Sequence, residues 1–175
     1  MAKIAIELQR AIEQRREQGT PGRPSSRILA RGDGWTVADV VCTSGPQDRP
    51  FEERHTHYSV AVVVAGSFQY RSVNGNGMMT PGSLLLGNQG QPFVCGHEHA
   101  EGDRCVAFRY SPGYFERLVA DAGTRRSRVD FRVPRLPPLR SLAPLVARAG
   151  AGLVDGDQVP WQEIDLRELP ESERA

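Results

Sequence analysis

The sequence is short of lysine, of cysteine and of long apolar runs, and each shortage narrows what the chain is expected to be. Lys3 is the single lysine among 22 basic residues, which reads as a coding bias and not as chemistry. Three cysteines, Cys42, Cys95 and Cys105, are too few and too uneven in number to brace a disulfide scaffold, so a reducing compartment is expected and the protein is read as cytoplasmic. The longest apolar run, Val60 to Ala65, is far too short to span a bilayer. Charge at Lys3 and Glu7 occupies the place where a signal peptide would be apolar, so no membrane partner is expected. A formal net charge of +1 argues against a nucleic-acid surface over the whole chain.

What is present suits one compact domain. The 175 residues can bury a real core but do not promise two full domains. The 18 glycines and 13 prolines point to many turns, as in all-β folds. Ile4, Leu8, Ala11 and Ile12 recur at helical spacing, so residues 2–18 read as an amphipathic helix, ended by Gly19-Thr20-Pro21-Gly22. From about Arg27 to Tyr110 the pattern changes to short strand-like runs: Trp35 to Cys42, Tyr58 to Ala65, Ser67 to Val73, Ser83 to Leu86, Phe93 to His97 and Cys105 to Tyr110. Asn74-Gly75-Asn76-Gly77 reads as a hairpin turn, and Thr80-Pro81-Gly82 as another. So many short strands suggest a small sandwich or barrel. Pro112 opens a helix that stops at Gly123. Leu139, Leu142, Ala143, Val146 and Leu153 form a second apolar stripe in which Pro144 either kinks a helix or marks its start. The expected organisation is an N-terminal helix and arm over 1–26, a barrel over 27–111, helices over 112–160 and a remainder over 161–175.

The chemistry-bearing residues are clustered. All four histidines fall in two His-x-His pairs, His55-Thr56-His57 and His97-Glu98-His99, and Cys95 and Cys105 bracket the second pair. Residues two apart on a strand share a face, so each pair can aim two imidazoles at one point, and Cys95, His97 and His99 would form a same-face row. Thiolate and imidazole without a carboxylate suit Zn²⁺, so the candidate metal ligands are drawn from His55, His57, Cys95, His97, His99 and Cys105. Other readings of the same residues stay open. His55 and His57 can pair with Glu52 or Glu53, His97 and His99 can sit on an exposed hairpin, and Cys95 and Cys105 can face each other across a hairpin as reduced thiols or a redox pair. Cys42 reads as a small buried hydrophobe. The basic run Arg125, Arg126, Arg128, Arg132 and Arg135 reads as a solvated connection.

His55-Thr56-His57, then Val62-Val63-Val64-Ala65-Gly66-Ser67-Phe68-Gln69-Tyr70-Arg71, then Pro81-Gly82-Ser83-Leu84-Leu85-Leu86-Gly87-Asn88 resembles a cupin, and more narrowly the N-terminal sensor domain of AraC-type transcription regulators. Cys95-Gly96-His97-Glu98-His99 through Gly102-Asp103-Arg104-Cys105 resembles one branch of that family. The resemblance covers roughly residues 27–155. It implies a mainly β fold, a cupin double-stranded β-helix barrel with an N-terminal helix and C-terminal α-helices. It also implies a small-molecule effector or a metal ion in the barrel, a homodimer with its helical dimerisation segment over 112–160, the start of a linker over 161–175, and DNA contact only through a helix-turn-helix part that this sequence does not contain. Enzymatic cupins resemble one another in holding a metal with the His-x-His pair, a Glu four or five residues on, and a later His. Here the Glu position falls on Ala61 or Val62 and the late His on Phe93. A sensor without catalysis is therefore the leading expectation, and a small metal-dependent cupin enzyme using His55 and His57 is the alternative.

Overall fold

The structure, a computed structural model, describes residues 2–123, 129–155 and 161. Helix α1 (Ala2–Gln18) precedes nine strands: β1 (Pro24–Gly32), β2 (Trp35–Cys42), β3 (Phe51–Arg54), β4 (Tyr58–Gly66), β5 (Phe68–Ser72), β6 (Gly75–Met79), β7 (Leu84–Gly87), β8 (Pro92–Gly96) and β9 (Asp103–Tyr110). Helix α2 (Pro112–Asp121), the short strand β10 (Arg135–Leu136), a 3₁₀ turn (Arg140–Leu142) and helix α3 (Ala143–Asp155) follow.

One sheet runs β1-β2-β9-β4-β7-β10 and the other β3-β8-β5-β6. The pairing is nested: β5 joins β6, β4 joins β7, β3 joins β8 and β2 joins β9, all antiparallel. A chain doubled back on itself in this way and rolled into two facing sheets is a double-stranded β-helix barrel. The fold is mainly β, with its helices before and after the barrel, as the sequence pattern predicts.

The apolar run in β4 reflects burial on both faces. Val60, Val62 and Val64 belong to an outer core with Leu84, Leu86, Val106 and Phe108, while Ala61 and Val63 belong to the barrel interior with Phe68, Tyr70, Met79, Leu85, Cys105 and Ala107. The outer core is closed by Ile4, Leu8 and Ile12 of α1, by Phe115 and Val119 of α2, and by Leu145, Ala149 and Leu153 of α3. Such two-sided burial explains why β4 reads as a continuous hydrophobic run and not as an alternation. Beneath α1 an outward-facing charge is neutralised in place: Arg104 on β9 binds Asp39 of β2 through Nε and Nη2, both at 2.9 Å, and Glu7 of α1 at 2.6 Å.

Several sequence expectations are corrected. The β5–β6 hairpin pairs Ser72 with Gly75, so Val73-Asn74 is the turn, and Gly75, Asn76 and Gly77 already belong to β6. Of the two readings of Pro144, the helix start holds and the kink does not: it stands in the first turn of α3, where its missing N–H leaves no bond unmade. In the helical stripe, Leu142 and Leu153 are buried as expected, but Leu139 and Ala143 face solvent and Val146 is only half-buried. Leu145 and Ala149 take the inward positions. This stripe packs on its own barrel, so its apolarity is accounted for within one chain. Trp161 is buried against Gly152 of α3. The rest of the expected linker, 162–175, lies outside the described residues, as do Arg125, Arg126 and Arg128; Arg132 is exposed and Arg135 half-buried. No described helix is long and apolar enough to cross a membrane.

Candidate ligand cavity and thiol cluster

Strand register stacks the interior side chains in rows. Ser59 of β4 lies between Arg109 of β9 and Gly87 of β7; Ala61 lies between Ala107 and Leu85; Val63 lies beside Cys105; and Asp103 lies beside Cys42 of β2. From the second sheet Glu53, Phe68, Phe93 and Cys95 complete the wall, with His55 and His97 from the segments just beyond β3 and β8. The rows enclose a cavity of about 350 Å³. It has one polar end, a middle kept open by the small side chains of Ala61 and Ala107, and an opposite end of thiol, imidazole and carboxylate.

At the polar end Arg109 is half-buried, and among the described residues no carboxylate lies within ion-pair distance of it. Burial lowers the pKa of its guanidinium, and the charge of Glu53 opposes that fall. Burial raises the Glu53 carboxyl, with Arg109 pulling it back. His55 stacks on Phe93 with ring centroids 4.2 Å apart, shares a 2.8 Å hydrogen bond with the Tyr70 hydroxyl, and lies directly over Gly87. A Cβ at position 87 would stand 2.4 Å from the imidazole, so only glycine admits this ring placement. Burial, and then the charge of Arg109, lowers His55 to about 4, which keeps it neutral at physiological pH.

At the other end His97 Nε2 lies 2.7 Å from Asp103 Oδ2, and Cys105 Sγ donates to Asp103 Oδ1 at 3.5 Å. One donor atom from each of Cys42, His97 and Asp103 falls within 4.8 Å of the others, and all three residues are buried. Burial alone would lower His97, but its hydrogen bond to Asp103 and the neighbouring Cys42 thiol outweigh that and hold it up at about 9. Burial pushes the thiols of Cys95 and Cys105 well up, and the Asp103 charge adds to the rise. The tight turn that sets this geometry passes through Gly102, at φ +71°. A Cβ there would meet Ile12 at 2.7 Å and the Cys42 carbonyl at 2.9 Å.

The six donors expected from the sequence do not form one set. His97 enters the cluster, and Cys95 and Cys105 line the same cavity. His55 sits near the opposite end with Tyr70. His57 lies at the exposed rim, its Nδ1 turned to Thr56 Oγ1 at 2.9 Å. His99 is exposed. The same-face row fails because β8 ends at Gly96, after which strand parity no longer orders His97 and His99. Cys95 and Cys105 are not hairpin partners: they stand on β8 and β9, in different sheets, and face each other across the barrel. The two donors that sequence reasoning missed are Cys42 and Asp103. Of the apolar replacements, Ala61 and Phe93 face the cavity, whereas Val62 belongs to the outer core.

The nested strand order defines the fold, a double-stranded β-helix. No protein-family model matches the chain, and no curated protein matches it. Among solved structures it is similar to a cupin superfamily protein from Desulfitobacterium hafniense, at 11% identity over 53% of this chain and 81% of that one, with a TM-score of 0.43. It is likewise similar to a protein with a double-stranded β-helix domain from Klebsiella pneumoniae, at 16% identity over 54% and 83%, TM-score 0.43. A third similar structure is the DMSP lyase DddQ from Ruegeria pomeroyi, at 13% identity over 51% and 48%, TM-score 0.44.

Proposed function

We propose that this chain is a sensor barrel of the AraC regulator type, which binds a small organic anion in its cavity and performs no chemistry on it. The observation that carries the reading is the interior row of Arg109, Ser59 and His55, in which a half-buried guanidinium faces an open cavity of about 350 Å³ without an ion-pair partner among the described residues. Glu53 offsets the Arg109 charge only from beyond ion-pair distance, and a ligand carboxylate on Arg109 and Ser59 Oγ gives the half-buried guanidinium the direct partner it lacks among the described residues. Ala61, Ala107, Leu85 and Phe93 suit the apolar body of such a ligand. The enzyme alternative needs His55 and His57 to converge on one ion, and they have different partners.

The test is a thermal-shift and calorimetric survey of small carboxylates, benzoate among them, against neutral isosteres such as benzyl alcohol. At about a hundredfold Kd a bound carboxylate adds about 2.7 kcal/mol, so melting rises by about 5–10 °C. Arg109→Met abolishes the response while folding normally. A carboxylate response that survives Arg109→Met, or conversion of the ligand to a product seen by mass spectrometry, overturns the reading.

As a regulator's sensor the chain acts as a homodimer, with DNA reached through a helix-turn-helix part outside this sequence. Because the inner stripe of α3 is occupied by the barrel, the dimer contact falls on the outward faces of the described residues 113–123 and 129–155, where Leu139 is 38% exposed. Light scattering at tens of micromolar is expected to return twice the chain mass, and a monomer there counts against this assembly.

A further inference from the structure

Cys42, His97 and Asp103 come from three separate places: the last residue of β2, the bend after β8 and the first residue of β9. Cys42 and Asp103 are register partners on adjacent strands, and His97 reaches them from the segment beyond the other sheet. Their relative exposures are 8%, 6% and 5%. A buried imidazolium–carboxylate pair accounts for His97 and Asp103, but it gives no role to the thiol of Cys42, whose sulfur lies within 4.8 Å of both. Nor does it account for a second thiol, that of Cys105, on the free oxygen of Asp103.

Two sulfurs, one imidazole nitrogen and one carboxylate oxygen make a donor set for a borderline divalent cation. With bonds of about 2.0–2.3 Å, the donor atoms of a tetrahedral zinc site stand about 3.3–3.8 Å apart. Here the first three lie within 4.8 Å of one another; Cys105 Sγ stands 3.5 Å from Asp103 Oδ1 but outside that group, so it completes the set by turning its side chain from Asp103 toward the other two donors. Cys95 lines the same cavity on β8, but no hydrogen bond ties it to Asp103, which leaves it outside the set.

We infer that Cys42, His97, Asp103 and Cys105 bind one Zn²⁺, tying the β2–β9 pair of one sheet to the segment that follows β8 of the other. The site is distinct from the Arg109 end of the cavity, and its success or failure is independent of the anion reading.

The wild-type chain, purified without chelator and reconstituted with Zn²⁺ alone, is expected to hold one zinc per chain by elemental analysis. X-ray absorption at the zinc edge is expected to give two sulfurs at ~2.3 Å and two nitrogen or oxygen atoms at ~2.0 Å. Co²⁺ in place of zinc is expected to give a thiolate-to-metal charge-transfer band that Cys42→Ser and Cys105→Ser each weaken or remove and Cys95→Ser leaves intact. Zinc coordinated by nitrogen and oxygen only, as at the exposed His57 or His99, overturns the proposal. So does substoichiometric zinc after reconstitution, or a band that depends on Cys95 as strongly as on Cys42. The absorption measurement needs no variant, so a serine mutant that misfolds leaves the proposal decidable.

Discussion

Arg104→Ala is expected to destabilise the fold by about 3–5 kcal/mol, the cost of leaving a buried carboxylate without its partner. Asp39 is 5% exposed and takes both of its short bonds from the Arg104 guanidinium. Its other partner, Arg27, is mostly exposed and stands 3.2 Å away, where solvent screening weakens the attraction. Glu7 would lose its bond as well, but it can turn to water. Urea unfolding should show a lower midpoint with an unchanged slope. If the buried charge is the cause, Arg104→Met combined with Asp39→Leu recovers most of the loss, because apolar groups of similar volume need no counter-charge. A double variant as unstable as the single one would locate the cost in packing under α1 instead.

The second large effect is an acid sensitivity written by His55. Its folded pKa, about 4, lies below the ordinary imidazole value of 6.5, so the unfolded chain takes up the proton more readily than the folded one. Above about pH 6.5 neither state is protonated and nothing is lost; as the pH falls from there toward 4, protonation favours unfolding. The loss approaches roughly 3 kcal/mol at the acid end. Chemical denaturation between pH 7 and 4 should therefore show a steeper decline for the wild type than for His55→Gln, compared as a difference so that the carboxylates common to both cancel. Parallel curves would mean that His55 titrates normally in the folded protein.

The elements that were readable in the sequence are those whose periodicity survives burial. Helix α1 kept Ile4, Leu8 and Ile12 on one face, and β2, β4 and β9 had long apolar runs between turn signals. Strand β3 was not readable, because Phe-Glu-Glu-Arg carries no alternation and is held only by pairing with β8. Strand β10 is two residues that exist as a strand only because β7 is there to receive them. The site was half visible for a related reason. Local parity could place Cys95, but it fails where the chain leaves the strand, so His97 and His99 part company. Cys42 reads as a core residue and nothing local marks Asp103, since the pairing that joins them is a tertiary register with no local signature.

The nested pairing also sets an order of assembly. Closing β5 on β6 needs only a two-residue turn, whereas each outer pair encloses all the chain within it, and the entropy of closing a loop grows with its length. The barrel is therefore expected to zip outward from the β5–β6 hairpin, as non-local contacts form late. The pair β2–β9 comes last, and Cys42 and Asp103 lie at its inner end. The thiol cluster is then a marker of where the last pairing begins: it forms as β2 first meets β9, and whatever binds there pins the inner end of that seam.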